Sequence, residues 1–324
     1  MPEGHSVHRI ARQFDRTFVG QRAAVSSPQG RFAAGAREID GRRMTEALAV
    51  GKQMFLEFDG DRWLRVHLGL YGAWDFAGEI LTDAAIASAK GRMGQTMQRG
   101  TVLDEAGEDS LNSIGAPRRA RLRMAESEKA GPNLTAFPPE PVGAVRVRIL
   151  TATAVADLRG PTACEVLQPE EVQTVLARLG PDPLVDDEAE GGARFVAKLG
   201  AKRTPVGLLL MDQSVVSGIG NVYRAELLFR ARLNPHTPGK AVGDAAAIRL
   251  WQDWAYLLGV GVATGQMMTM DNLDPDSRGR ALARRADRHW VYHREGRPCR
   301  VCDTPIVMEI AAARKLYYCP YCQA

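Results

Sequence analysis

The chain has 324 residues, is 45% hydrophobic and 25% charged, and carries a formal net charge of +4, so it is long enough for two or three domains with real cores and only mildly basic overall. No apolar run approaches the roughly 18 residues of a membrane-spanning helix, and the start Met1-Pro2-Glu3-Gly4-His5 is not a signal sequence, so a cytoplasmic protein with no membrane partner is expected. Four of the five cysteines form two close pairs near the C-terminus, which points to a metal site in a reducing compartment and away from a disulfide framework.

In chain order, Val7, Ile10, Ala11 and Phe14 form one apolar helical stripe directly after the N-terminus, which would hold residue 2 against a fixed scaffold. Short, partly alternating segments at Ala23 to Ser27, Arg42 to Val50, Gln53 to Phe58 and Trp63 to Leu68 predict paired strands of an antiparallel β domain. From about Ala77 to Pro141 no period is sustained, and the segment reads as a long mobile insertion. Alternation resumes at Val145, Val147 and Ile149, so the insertion interrupts the β domain. Pro169-Glu170-Glu171 suits the first turn of a helix with stripe Val172, Val175, Leu176 and Leu179 and stop Gly180. Further helices are expected at Gly207 to Met211, Val222 to Ala231 and Asp244 to about Thr264.

Cys299-x2-Cys302, sixteen residues, then Cys319-x2-Cys322 supply four thiolates on two tight turns, the pattern of one structural Zn2+. Ile306 to Ile310 and Leu316 to Tyr318 read as a hairpin between them, a zinc ribbon whose tip carries Arg314, while Cys164 stands apart as a buried thiol. Ser217-Gly218-Ile219-Gly220-Asn221 reads as a glycine turn ending in an Asn N-cap, whose free amides and helix N-terminus suit phosphate. Eight arginines between Arg278 and Arg300, against the two acids Asp287 and Glu295, form a basic patch suited to a phosphate backbone. Once Met1 is cleaved, Pro2 presents a secondary amine that is partly unprotonated near neutral pH and gives an iminium with an aldehyde carbon, and Glu3 beside it can shuttle protons.

Met1-Pro2-Glu3-Gly4, Gly51-Lys52, His67 through Gly72, Leu179 through Leu184, Asp212 through Asn221 and the four-cysteine ribbon together resemble the formamidopyrimidine-DNA glycosylase and endonuclease VIII family, over nearly the whole chain except the insertion. The resemblance implies a multidomain α+β protein: an N-terminal antiparallel β-sandwich with flanking helices over residues 1–160, a helix-two-turn-helix lobe over 165–275, and a zinc ribbon over 286–324, with double-stranded DNA bearing a damaged base or abasic site in the cleft between the lobes. It implies a monomeric, bacterial, nucleoid-associated glycosylase and AP lyase of base excision repair, in which Pro2 attacks C1′ and β,δ-elimination cuts the strand. Glu3 matches the acid/base residue, Lys52 the lysine at the lesion phosphate, and Asn221 and Arg314 the phosphate grip around the flipped nucleotide, with Arg314 also in the second elimination. Leu70 and Tyr71 match the wedge of the endonuclease VIII branch, hence oxidised pyrimidines; the alternatives are an oxidised-purine glycosylase or a non-catalytic damaged-DNA-binding protein. Three departures stand out: Ser6 where many relatives carry a second glutamate, Gly69 where some carry a longer polar residue, and the insertion.

Overall fold

The computed structural model describes residues 2–81, 113–115 and 137–324. Two compact units emerge, Met1–Ala177 with Val262–Gly265, and Arg178–Gly261 with Gln266–Ala324. Among the described residues no helix is long and apolar enough to cross a membrane.

The first unit opens with α1 (Gly4–Thr17), whose expected stripe Val7, Ile10, Ala11 and Phe14 is buried to 5% exposure or less. Strands β1 (Ala24–Ser26), β5 (Ala73–Gly78), β6 (Ser113–Gly115), β7 (Val145–Leu150) and β8 (Ala154–Arg159) form one antiparallel sheet in the order β1-β7-β8-β5-β6. Strands β2 (Met44–Val50), β3 (Gln53–Phe58), β4 (Arg62–His67) and β9 (Ala163–Leu167) form the second, in chain order. A short helix, α2 (Ala33–Ile39), joins β1 to β2.

Period-two alternation explains the layering. Met54, Leu56 and Phe58 of β3 join the core shared with α1 and the first sheet, where Phe14 meets the Trp74 ring edge-on at 4.8 Å. The intervening Phe55 faces the other way, with Trp63 and Leu167, onto Val172 of α3 (Pro169–Ala177). The stripe read for this helix thus buries Val172 and half-buries Val175 and Leu176 on the outer face of the second sheet.

Most of the segment read as an insertion from 77 to 141 lies outside the described residues. Two of its described parts belong to the first sheet: Ala77 and Gly78 complete β5, and β6 pairs with Ala73, Trp74 and Asp75, with Ile114 at 2% exposure in the core. The boundary set at Ala77 therefore falls inside a strand, because Ala and Gly leave no alternation to read.

In the second unit, α4 (Glu188–Gly200) is capped by Asp187, whose side chain accepts from the amides of Ala189 and Glu190. α5 (Val206–Leu209), α6 (Asn221–Arg230) and α7 (Asp244–Thr264) follow where helices were expected, whereas α4 and α8 (Pro275–Ala283) were not expected. The chain ends in the hairpin β10 (Val307–Ala311) and β11 (Arg314–Tyr318). Glu226 of α6, fully buried, ties that hairpin's approach to the helix: its carboxylate accepts from the Thr269 hydroxyl and from the amides of Trp290, Val291 and Tyr292 at 2.5 to 2.9 Å.

Candidate active site

Pro2 and Glu3 lie immediately before the first turn of α1, and both are buried. Glu3 occupies the N-cap position, yet its side chain makes no capping bond; its carbonyl accepts from the Ser6 amide at 3.0 Å. The positive end of a helix disfavours a protonated amine and favours a carboxylate, and residues 2 and 3 stand at that end of α1. His5 and Ser6 are buried and meet at 3.2 Å. Burial, then the Arg9 charge, the chain terminus and His8, push the His5 pKa down to about 3, so its imidazole is neutral at physiological pH.

α1 packs on β2 and β3, and Lys52 stands in the two-residue turn that joins them. Gly51 has φ 59°, the left-handed value that the first central position of a type II′ hairpin turn requires. Half-buried Lys52 is fixed from behind: His67 Nδ1 lies 2.9 Å from its carbonyl oxygen, which can only accept, so Nδ1 carries the proton. Burial, with the Lys52 and Arg65 charges, lowers the His67 pKa against the opposing effect of that bond.

The next turn holds Leu70 and Tyr71, at 45% and 41% exposure, so both are surface residues of a turn and not core strand residues. The turn is closed by the Gly72 amide donating to Leu68 oxygen at 2.9 Å, and Gly69 has φ 64° with a would-be Cβ 1.8 Å from Thr162 Oγ1. The glycine that departs from some relatives is therefore required by its own backbone and by Thr162. Cys164 is half-buried, and burial pushes its thiol up to about 12, so it is no nucleophile.

In the second unit, two motifs that are separate in sequence bind each other. The Gly180 amide donates to Gln213 oxygen at 2.7 Å, the Ser217 hydroxyl donates to Gly180 oxygen at 2.8 Å, and a Cβ at Gly180 would lie 2.4 Å from the Val215 backbone. The Asn N-cap expected at position 221 is corrected. Gly220 is the N-cap, and Asn221 begins α6 with its side chain turned elsewhere: Nδ2 donates to Lys315 oxygen at 2.8 Å and Oδ1 accepts from Arg224. Nor is the Gly218 amide free, because Gln213 Oε1 takes it at 3.0 Å. Glycine spacing marked the turn but could not show which groups brace it.

Asn221 thereby touches the backbone one residue beyond Arg314, which is exposed at the start of β11. Ala312 and Ala313 form the tip with φ 48° and 62°, two left-handed residues where Asn-Gly is usual. Of the arginine-rich stretch, Arg288, Arg294 and Arg300 donate to the carbonyls of Ala281, Leu282, Pro298, His289 and Ala286, so part of the apparent patch is structural. Arg278, Arg280, Arg284 and Arg297 are exposed.

The four ribbon cysteines bring their sulfurs within 4.8 Å of one another, with Cys302 to Cys322 at 3.4 Å, Cys302 to Cys319 at 3.5 Å and Cys299 to Cys322 at 3.9 Å. Sulfurs about 2.3 Å from a tetrahedral zinc stand about 3.8 Å apart, so the donor set fits that ion. The turns are built for it: the Cys299 amide bonds Thr304 oxygen, Asp303 adopts φ 57°, and the Cys322 amide points at Cys319 sulfur at 3.4 Å.

Comparison with known proteins agrees along the chain. Residues 1–107 match the formamidopyrimidine-DNA glycosylase N-terminal domain, 179–272 the formamidopyrimidine-DNA glycosylase H2TH domain, and 296–324 a zinc finger found in FPG and IleRS. Over 323 residues, 100% of both chains, the sequence is 36% identical to Endonuclease 8 1 of Mycobacterium tuberculosis. It is also 36% identical to formamidopyrimidine-DNA glycosylase of Thermus thermophilus, over 151 residues, 46% of this chain and 55% of that one. Among solved structures, the MutM (FPG) protein of Thermus thermophilus superposes with TM-score 0.64 at 23% identity, covering 99% of this chain and 98% of that one. Lactococcus lactis Fpg in complex with DNA containing an abasic site gives 0.66 at 17% identity, covering 99% of each.

Proposed function

Because the chain belongs to the formamidopyrimidine-DNA glycosylase and endonuclease VIII family of DNA glycosylases with AP lyase activity, we propose that it removes oxidised pyrimidines from double-stranded DNA, as a monomer, and cuts the strand by β,δ-elimination. The observation that carries the pyrimidine reading is the exposed pair Leu70 and Tyr71 on a rigid turn, an apolar and an aromatic side chain suited to filling the hole left by a flipped base. The relative matched over its full length bears an endonuclease 8 name, in the same sense.

In this reading the Pro2 nitrogen bonds to C1′, the glycosidic bond breaks, and the base leaves with a proton. Opening of the sugar gives an iminium that draws electrons from C2′. Loss of a C2′ proton expels the 3′ phosphate, and a second elimination expels the 5′ phosphate. Glu3, buried beside Pro2, moves protons at the sugar. Lys52, fixed by His67, meets the lesion phosphate, and Asn221 and Arg314 hold phosphates around the flipped nucleotide, Arg314 also serving the second elimination. Cys299, Cys302, Cys319 and Cys322 hold one Zn2+, which with four protein ligands has no open position and supplies structure only.

Duplexes with a single thymine glycol, dihydrouracil or 8-oxoguanine, under single-turnover conditions, test the lesion class. The expected result is excision of both pyrimidine lesions about 10-fold or more faster than 8-oxoguanine, a difference of about 1.4 kcal/mol in the barrier. Equal or faster excision of 8-oxoguanine overturns it.

A further inference from the structure

Arg224 is 1% exposed, so it is shielded from any ligand in solvent, yet it is bonded to both parts of the phosphate grip just described. Its Nη2 donates to Asn221 Oδ1 and, at 3.0 Å, to Lys315 oxygen, while Nη1 reaches Gly207 oxygen at 3.3 Å. Lys315 oxygen also accepts from Asn221 Nδ2 at 2.8 Å, so one carbonyl with two lone pairs takes both donors.

A guanidinium can only donate. Facing Arg224, the Asn221 carboxamide must therefore turn its oxygen to the guanidinium, which leaves Nδ2 to donate elsewhere. One Nδ2 hydrogen goes to Lys315 oxygen; the second has no partner among the described residues. The same guanidinium braces the peptide after Arg314, beside the two left-handed tip residues Ala312 and Ala313.

We propose that Arg224 is a positioning residue for DNA binding: it sets the Asn221 amide so that an N–H faces outward to a phosphate oxygen, and it holds the strand start that aims Arg314. This rests on the assignment of Asn221 and Arg314 to phosphate contact. Nothing in the spacing of the glycine turn marked Arg224, which follows Asn221 by three residues, one helical turn along α6.

The test is a double-mutant cycle on affinity for a duplex with one abasic site, using Asn221→Ala, Arg224→Met and the pair, with Arg224→Lys, zinc content and thermal transition measured alongside. Arg224→Met is expected to weaken binding about tenfold with zinc retained, and the double variant to bind within about twofold of Asn221→Ala alone. Arg224→Lys, which keeps the charge without the planar fork, is expected to lie between Arg224→Met and the wild type, and it replaces Arg224→Met in the cycle if that variant does not fold. Wild-type affinity at position 224, or a double-variant loss equal to the product of the two single losses, overturns the proposal. Wild-type affinity of both Asn221→Ala and Arg314→Ala overturns the phosphate assignment itself, and the role of Arg224 with it.

Discussion

The chemistry proposed for Pro2 and Glu3 rests on their place just before α1, and His5 shows how tightly that corner is closed. The imidazole is buried beside Arg9 and the chain terminus, and its pKa falls to about 3. Above pH 6.5 it is neutral in both the folded and unfolded chains, so it contributes no pH dependence there. Below that value the unfolded chain takes up a proton that the folded chain refuses until about pH 3, and stability falls through this window with a slope of up to about 1.4 kcal/mol per pH unit. Urea unfolding at pH 7 and pH 5 is expected to show a smaller loss on acidification for His5→Gln than for the wild type; equal losses would contradict the assignment of a buried neutral imidazole.

At the scale of elements, turns do the positioning: the Gly51-Lys52 hairpin, the Leu70-Tyr71 turn and the ribbon tip each present a side chain from a backbone with little freedom. A two-stranded hairpin alone is marginal in water and four gathered thiolates repel, so the zinc proposed for the four cysteines is expected to support the ribbon. Chelation is expected to bring amide exchange across β10 and β11 close to the unprotected rate while β3 and β4 keep their protection, as read by hydrogen-exchange mass spectrometry; unchanged protection in the ribbon would argue against zinc as its structural support. The ribbon was legible because cysteine spacing is a direct geometric constraint, and β3 because Met54, Leu56 and Phe58 alternate with residues of the other face. α2 and β6 were not: seven and three residues are too short for a period, and Ile114 is anchored by strand pairing remote in sequence. The N-cap at position 221 was misread for a related reason, since Asn is a common cap and only the tertiary partners Arg224 and Lys315 draw its side chain away.

For the whole molecule, a net charge of +4 gave no hint of a nucleic-acid partner, and three of the eight arginines in its most basic stretch are spent on internal carbonyls. Six short motifs in a fixed order carried the reading, and they are distributed over both compact units. The groups that brace them, His67 behind Lys52, Gln213 under the glycine turn and Arg224 behind Asn221, emerge only from the folded chain. The proposed chemistry depends on the amine of residue 2, and borohydride trapping on an oligonucleotide with one abasic site tests it most directly. Wild type is expected to give a covalent adduct that mass spectrometry maps to Pro2, with trapping by Pro2→Gly reduced and by Lys52→Ala slowed. An adduct mapped to a lysine, or no adduct from zinc-loaded protein that still binds the DNA, would contradict it.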